Sequence, residues 1–171
     1  MSYKAAVITV SDKCSIGERV DTSGPAVAGM LKDAGFDVVY TGIVPDNRSE
    51  ISDELAKCVE QGADIVISTG GTGFSLRDVT PEATRDVIDR EVPAIPQAML
   101  YYSLGITPRA MLSRAVAGIR GRSLIINLPG SEKAAKENLA AVIDAIDHGL
   151  QMLRSEGSAD CAQEHGGRSN A

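Results

Sequence analysis

Short apolar segments alternate with helical repeats along most of this sequence. The apolar, β-branched segments at residues 4–11, 36–44, 64–69 and 123–128 are each too short for a helix and are predicted to be strands. Strands that alternate with helices form parallel sheets, because each crossover between parallel strands needs a connection about as long as a helix. The pattern therefore predicts an α/β fold: a three-layer sandwich with a mostly parallel sheet covered by helices on both faces.

The helical segments carry recognisable start and stop signals. Proline at the first helical position marks starts near Ser23 and at Thr80, and Gly35 and Gly62 are predicted stops. Helices are predicted from Ser23 to Gly35, at residues 49–61, from Thr80 onward, and at residues 96–104 and 132–154. The last helix is the longest.

One domain accounts for the whole ordered chain. A length of 171 residues suits a single compact domain and can bury a sizeable core without a disulfide or metal staple. Residues 155–171 contain small and charged residues without periodicity and are predicted to be a disordered tail. The predicted domain is residues 1–154, and a chain that ends at Arg154 is expected to keep its fold.

Charge and hydropathy exclude several classes of protein. The net charge of −6 and the pI of about 4.9 argue against nucleic-acid binding, which usually requires a basic surface. No segment approaches the roughly 18 apolar residues of a membrane span, and the first residues do not resemble a signal peptide. We therefore expect a cytoplasmic protein with no membrane or nucleic-acid partner.

Aspartates and glycines cluster where the predicted strands end. Ligands of parallel sheets bind at the carboxyl ends of the strands, so these positions are the candidate site. The alternative explanation is that these aspartates and glycines only form turns and helix caps. The residues at these ends are Ser11, Asp12, Asp46, Gly70, Gly71, Thr72, Gly73, Asp78, Pro129 and Gly130.

These residue types suit a magnesium nucleotide. Three glycines within residues 70–73 let backbone N–H groups approach a phosphate, and the helix starting near Thr80 points its positive dipole end toward it. Aspartates beside a phosphate would repel it unless a hard cation lies between them, and Mg²⁺ is bound by one or two carboxylates together with phosphate oxygens. The glycines match neither the P-loop nor the dinucleotide-binding fingerprint.

Residues 92–131 contain no Asp or Glu but include Arg109, Arg114, Arg120 and Arg122. Two interpretations of this segment remain open. It forms a surface that faces an anion, or its arginines contact neighbouring subunits.

The glycine segment also carries a family resemblance. Residues 70–83, GGTGFSLRDVTPEA, resemble the hallmark of the molybdenum-cofactor biosynthesis family that includes MogA, MoaB and the G domains of larger cofactor-synthesis proteins. Further matches are TVSD at 9–12, VPD at 44–46, SLGITP at 103–108, MLSRAVAGIRG at 111–121 and LIINLPG at 124–130. Together they span residues 4 to about 154.

The resemblance implies a molybdopterin-binding fold and a molybdopterin adenylyltransferase. Such an enzyme transfers AMP from Mg-ATP to the terminal phosphate of molybdopterin and releases pyrophosphate. It implies Asp46 and Asp78 as catalytic, Mg²⁺-holding residues and Ser103 as a molybdopterin-binding residue. Substrate contacts are further expected from Ser11, Asp12, residues 70–73, Arg114, Pro129 and Gly130.

The resemblance also implies assembly as a homotrimer or homohexamer and contact with a molybdate-insertion protein. The residues agree with this chemistry, because an anionic phosphate nucleophile needs no general base and no histidine or cysteine pair lies at the strand ends. The alternative function is a MoaB-type scaffold or carrier that binds molybdopterin without adenylylating it. A nucleotide enzyme of related fold with another substrate is a third possibility.

Overall fold

A computed structural model describes residues 2–155. Six strands form one sheet in the order β2-β1-β3-β6-β5-β4. The strands are β1 (Lys4–Val10), β2 (Asp37–Val44), β3 (Ile65–Thr69), β4 (Arg90–Glu91), β5 (Ala117–Arg120) and β6 (Ser123–Leu128). The helices are α1 (Asp12–Ser15), α2 (Ser23–Asp33), α3 (Arg48–Glu60), α4 (Thr80–Val87), α5 (Ala94–Leu104) and α6 (Glu132–Arg154), with a 3₁₀ turn at Pro108–Leu112.

The mostly parallel sheet is confirmed. Strands β2, β1, β3 and β6 are parallel neighbours, whereas β5 runs antiparallel to β6 and β4 runs antiparallel to β5. All four predicted strands are present. The sequence analysis missed β4 and β5, and also the single-turn helix α1.

Alternate residues of the central strands face two separate cores. In β1, Ala5 and Val7 pack with α2, α5 and α6, while Ala6 and Ile8 pack with α3 and α4 on the opposite face. This arrangement produces the predicted three layers, since strand side chains alternate between faces. Within residues 2–155, no helix is both long enough and apolar enough to cross a membrane.

Side-chain caps fix three helix starts near the carboxyl edge of the sheet. Ser11 accepts a hydrogen bond from the Cys14 N–H at α1, Asn47 accepts from Ser49 and Glu50 at α3, and Ser131 accepts from Ala134 at α6. The helix predicted at residues 132–154 is confirmed as α6. The predicted tail lies, except for Ser155, outside the described residues.

Candidate functional site

The carboxyl ends of β1, β2, β3 and β6 meet at one edge of the sheet, as predicted from the strand order. Two pockets open at this edge. The small pocket has a volume of about 180 Å³ and the large pocket about 530 Å³. Between them lies the glycine loop, which we define as residues 70–78.

Most of the predicted site residues line one of these pockets. Gly70 and Gly71 face the small pocket, whereas Thr72 and Gly73 face the large one. The small pocket also includes Ser11, Asp46, Asp78 and Gly130, and the large pocket also includes Ser103 and Pro129. The loop is therefore a wall shared by both compartments.

Glycine is required at the start of this loop. Gly70 has a φ of +96°, and a Cβ there would collide with the carbonyl oxygen of Val10. Gly71 has a φ of +66°, and a Cβ there would collide with Thr80 Oγ1 and lie 3.2 Å from Asp46 Oδ1. The loop backbone is thus packed directly against the end of β1, the start of α4 and the Asp46 carboxylate.

Arg114 holds the glycine loop in place. Its Nε donates to the Gly73 carbonyl at 2.7 Å, its Nη2 donates to the Asp78 carbonyl at 2.6 Å, and its Nη1 pairs with Glu82 in α4. The Arg114 N–H also donates to the Thr72 carbonyl. A substrate contact by Arg114 stays a prediction, and all three of its guanidinium nitrogens donate to protein acceptors.

Asp12 and Asp46 are tied to each other through their backbones. The Asp46 N–H donates to Asp12 Oδ1 at 2.9 Å, and the Asp12 N–H donates to Asp46 Oδ2 at 2.8 Å. Asn47 caps α3, so the capping explanation for Asp46 is wrong. The Asp78 carboxylate accepts from the Ser75 N–H at 3.2 Å and does not cap α4.

The environments of Asp12 and Asp46 shift their acidities in opposite directions. Hydrogen bonds from Arg77 lower the pKa of Asp12. Burial raises the pKa of Asp46, and the charges of Asp12 and Asp78 add to that increase. The small pocket is therefore a place where negative charge is concentrated and a cation would be favoured.

Asp21 is a carboxylate of the small pocket that the sequence analysis missed. It accepts hydrogen bonds from the Thr9 hydroxyl at 2.6 Å and from the Gly24 N–H at 3.0 Å, at the start of α2. Asp21 lies eleven residues beyond the end of β1, whereas the site residues predicted at the strand ends follow the strands more closely. The available signal was an aspartate just before a helix start, where a carboxylate often accepts a hydrogen bond from a nearby backbone N–H.

Three carboxylates, those of Asp21, Asp46 and Asp78, line the small pocket. Among residues 2–155 there is no group of three or more His, Cys, Asp or Glu side chains arranged to hold a metal. Asp46 and Asp78 form a pair of hard ligands, which fits the way Mg²⁺ is held by few carboxylates and by phosphate oxygens. The donor set is therefore compatible with a magnesium ion that arrives with a phosphate.

Ser103 lies on α5 in the wall of the large pocket. Its side chain is buried, and its hydroxyl accepts a hydrogen bond of 2.9 Å from the Asn138 amide of α6. Asn138 also donates to the Ala134 carbonyl within α6. The hydrogen bond from α6 therefore fixes the orientation of the Ser103 hydroxyl. The family resemblance implies a substrate contact at this residue.

The four arginines of residues 92–131 do not form one anion-facing surface, which corrects the first interpretation of that segment. Arg109 lines the large pocket. Arg120 at the end of β5 lies opposite Ser123, the first residue of β6, in the sheet register. Arg122 lies in the turn between these two strands, so both arginines are at the opposite edge of the sheet. The antiparallel strand β5 causes this separation.

A protein-family model, sequence relatives and solved structures all match this chain. The family model described as "Probable molybdopterin binding domain" matches residues 6–148. A molybdopterin adenylyltransferase from Helicobacter pylori is 43% identical over 150 residues, which cover 86% of this chain and 85% of that protein. The crystal structure of the molybdopterin biosynthesis enzyme MoaB from Thermus thermophilus superposes with a TM-score of 0.84 at 44% identity, covering 88% of this chain and 96% of that one.

Longer relatives contain the same domain as one part. Gephyrin from Dictyostelium discoideum is 39% identical over 169 residues, which cover 93% of this chain. The matched region is only 24% of the gephyrin sequence. The chain therefore spans about a quarter of the length of this relative.

Proposed function

This chain belongs to the molybdopterin-binding domain family of molybdenum cofactor biosynthesis, and we propose that it is a molybdopterin adenylyltransferase. The reaction joins the terminal phosphate of molybdopterin to the AMP part of ATP. One phosphate oxygen attacks the α-phosphorus of ATP, the bond to the β-phosphate breaks, and pyrophosphate leaves. The names of the similar proteins and the arrangement of the two pockets support this proposal.

The observation that carries the proposal is the glycine loop shared by two pockets. A transfer between two large substrates needs adjacent sites that bring the reacting phosphates together. We assign the phosphates of ATP to the small pocket, which is lined in part by Gly70 and Gly71. We assign molybdopterin to the large pocket, with Ser103 as one contact.

Asp46 and Asp78 are assigned to a magnesium ion that accompanies ATP. When bound, Mg²⁺ supplies charge stabilisation to the phosphate oxygens. The two aspartates would hold the ion. Burial is the main cause of the raised pKa of Asp46, and the charges of Asp12 and Asp78, which a cation would offset, add to it. Backbone N–H groups of the glycine loop would donate hydrogen bonds to the phosphate oxygens and add to the same charge stabilisation.

No general base is needed in this mechanism. A phosphate monoester is already largely dianionic at neutral pH, so the nucleophilic oxygen carries no proton that must be removed. The residues that line the two pockets include no histidine. Positioning and charge stabilisation therefore account for the catalysis that we propose.

Several features of the proposal come from the family resemblance. We propose assembly as a homotrimer or homohexamer, and transfer of the product to a molybdate-insertion protein. The exposed apolar side chains of Tyr101, Met111 and Leu112 support a subunit contact on the α5 side of the molecule. Use of ATP supports a cytoplasmic location.

Substitution of the two aspartates tests the activity. In Asp46→Asn and Asp78→Asn, adenylyl transfer should fall on the order of a thousandfold, since several kcal/mol of metal-assisted stabilisation are lost. The matched control is Asp144→Asn on the exposed surface of α6, which should keep full activity. Near-normal transfer by both pocket variants would contradict the catalytic assignment.

The same assay separates the alternative function. A molybdopterin-binding scaffold or carrier would bind molybdopterin but release no pyrophosphate from Mg-ATP when molybdopterin is added. Pyrophosphate release by the unmodified protein, dependent on molybdopterin, would exclude that alternative.

A further inference from the structure

Arg77 at the end of the glycine loop forms a two-pronged ion pair with Asp12. Its Nε donates to Asp12 Oδ2 at 3.0 Å, and its Nη2 lies 2.9 Å from Oδ1 and 2.8 Å from Oδ2. The Arg77 side chain is 65% exposed. Ion pairs this exposed add little to the free energy of unfolding, so a contribution to stability does not explain this contact.

The ion pair continues into Asp46. Asp12 Oδ1 accepts both from Arg77 and from the Asp46 N–H, and the Asp12 N–H returns a hydrogen bond to Asp46 Oδ2. One oxygen of Asp46 is thereby held, while Oδ1 is on the side of Gly71. Arg77 also directly precedes Asp78 in the chain, so the same contact ties the loop that carries Asp78 to the segment that carries Asp46.

We propose that Arg77 and Asp12 are positioning residues that fix the Asp46 carboxylate relative to Asp78. This inference rests on the adenylyltransferase function proposed above and replaces the substrate contact predicted for Asp12. Without the guanidinium, Asp12 would be an unpaired negative charge next to Asp46, and both segments would be free to move apart. The pair thus orients one carboxylate and neutralises another.

A second exposed ion pair provides a matched control. Arg48 at the start of α3 donates from Nε and Nη2 to Asp86 at 2.7 Å and 2.6 Å, with similar exposure. Neither residue lines the small or large pocket. Comparing Arg77→Ala with Arg48→Ala therefore separates an effect on Asp46 from the general loss of a surface ion pair.

Steady-state kinetics gives the first measurement. Arg77→Ala and Asp12→Asn should each lower kcat about a hundredfold, as expected when a catalytic group is misplaced. The KM for ATP should stay within about threefold, because neither residue contacts ATP in this arrangement. Arg77→Lys should recover part of kcat, since an ammonium restores the charge but not the two-pronged geometry. Arg48→Ala should match the unmodified protein.

Amide hydrogen exchange gives a second measurement that does not depend on turnover. The Asp46 N–H should exchange faster in Arg77→Ala than in the unmodified protein, and at an unchanged rate in Arg48→Ala. If the unmodified protein transfers no adenylyl group, the proposed function fails while the exchange rates still decide the positioning role. Normal kcat or normal Asp46 exchange in Arg77→Ala would overturn the inference. A raised KM for ATP in Arg77→Ala, with Asp12→Asn fully active, would overturn it as well, because it would place Arg77 on the nucleotide.

Discussion

The side-chain amide of Asn127 in β6 donates a 2.8 Å hydrogen bond to the hydroxyl of Thr84 in α4, and both side chains are fully buried. The same amide donates to the Ser68 hydroxyl in β3, and Asn127 Oδ1 accepts from the Val116 N–H. Asn127 therefore links two strands, the segment before β5 and the helix that follows the glycine loop. The loop is held to the sheet through this helix.

Replacing Asn127 should destabilise the fold strongly. Asn127→Ala leaves a buried N–H and two buried hydroxyls without this partner, and we expect a loss of about 3 kcal/mol in the free energy of unfolding. Chemical denaturation measures the loss. The control is Asn47→Ala, which removes an exposed helix cap and should cost about 1 kcal/mol. Equal losses in the two variants would show that the buried network adds nothing beyond an ordinary cap.

Two glycines with similar backbone φ angles should differ in their tolerance of a side chain. Gly70 and Gly62 have φ values of +96° and +90°, but only at Gly70 does a Cβ meet the Val10 carbonyl. Gly62→Ala should cost about 1–2 kcal/mol from backbone strain alone. Gly70→Ala should cost more and should also weaken ATP binding, measured by calorimetry. A Gly70→Ala protein that binds ATP normally would contradict the assignment of the small pocket.

Arg154 ties the end of α6 to the start of the sheet. Its guanidinium pairs with Asp64 at 2.7 Å and lies 4.2 Å from the centre of the Tyr3 ring, and Asp64 also accepts from the Lys4 N–H. Arg154→Ala should lower the free energy of unfolding by about 1 kcal/mol. A chain that ends at Ser155 should match the full chain in stability. Thermal melts of both proteins check this prediction, and a destabilised shortened chain would show that the stabilising contacts extend past Ser155.

Alkaline pH should destabilise the protein through Tyr40. A hydrogen bond with Glu54, together with burial, raises the pKa of Tyr40 to about 12. The unfolded chain loses this proton near pH 10 while the folded chain keeps it, so stability falls as the pH rises from about 10 to about 12. Tyr40→Phe should reduce the slope of the unfolding free energy against pH by an amount that corresponds to up to one bound proton. Denaturation at several pH values measures both slopes, and parallel slopes would mean that Tyr40 titrates normally.

The order of the main elements follows from local sequence. Val, Ile and Thr in short apolar segments favour strands, and caps such as Asn47 mark helix boundaries without help from distant residues. Because crossovers between these strands are helical, their parallel arrangement follows as well. That arrangement is enough to bring Asp46, Asp78 and Gly70 to one edge, which is why the sequence predicted the location of the candidate site.

The missed elements depend on partners far along the chain. Strand β4 has only two residues, both charged, and β5 contains Gly118, so neither shows the alternation typical of a strand. Each exists because it pairs with the next strand across the sheet. That pairing also moved Arg120 away from the site, although it is only six residues from Arg114.

Residue types and loop positions at the site were determined by the sequence alone, because strand ends and glycine turns are set by neighbouring residues. The targets of the side chains were decided only by the tertiary structure. Asp12 and Arg77 are 65 residues apart, and Arg114 reaches back 41 residues to Gly73. Whether such a charge meets a ligand or another part of the protein depends on how distant loops pack, and no local pattern encodes that packing.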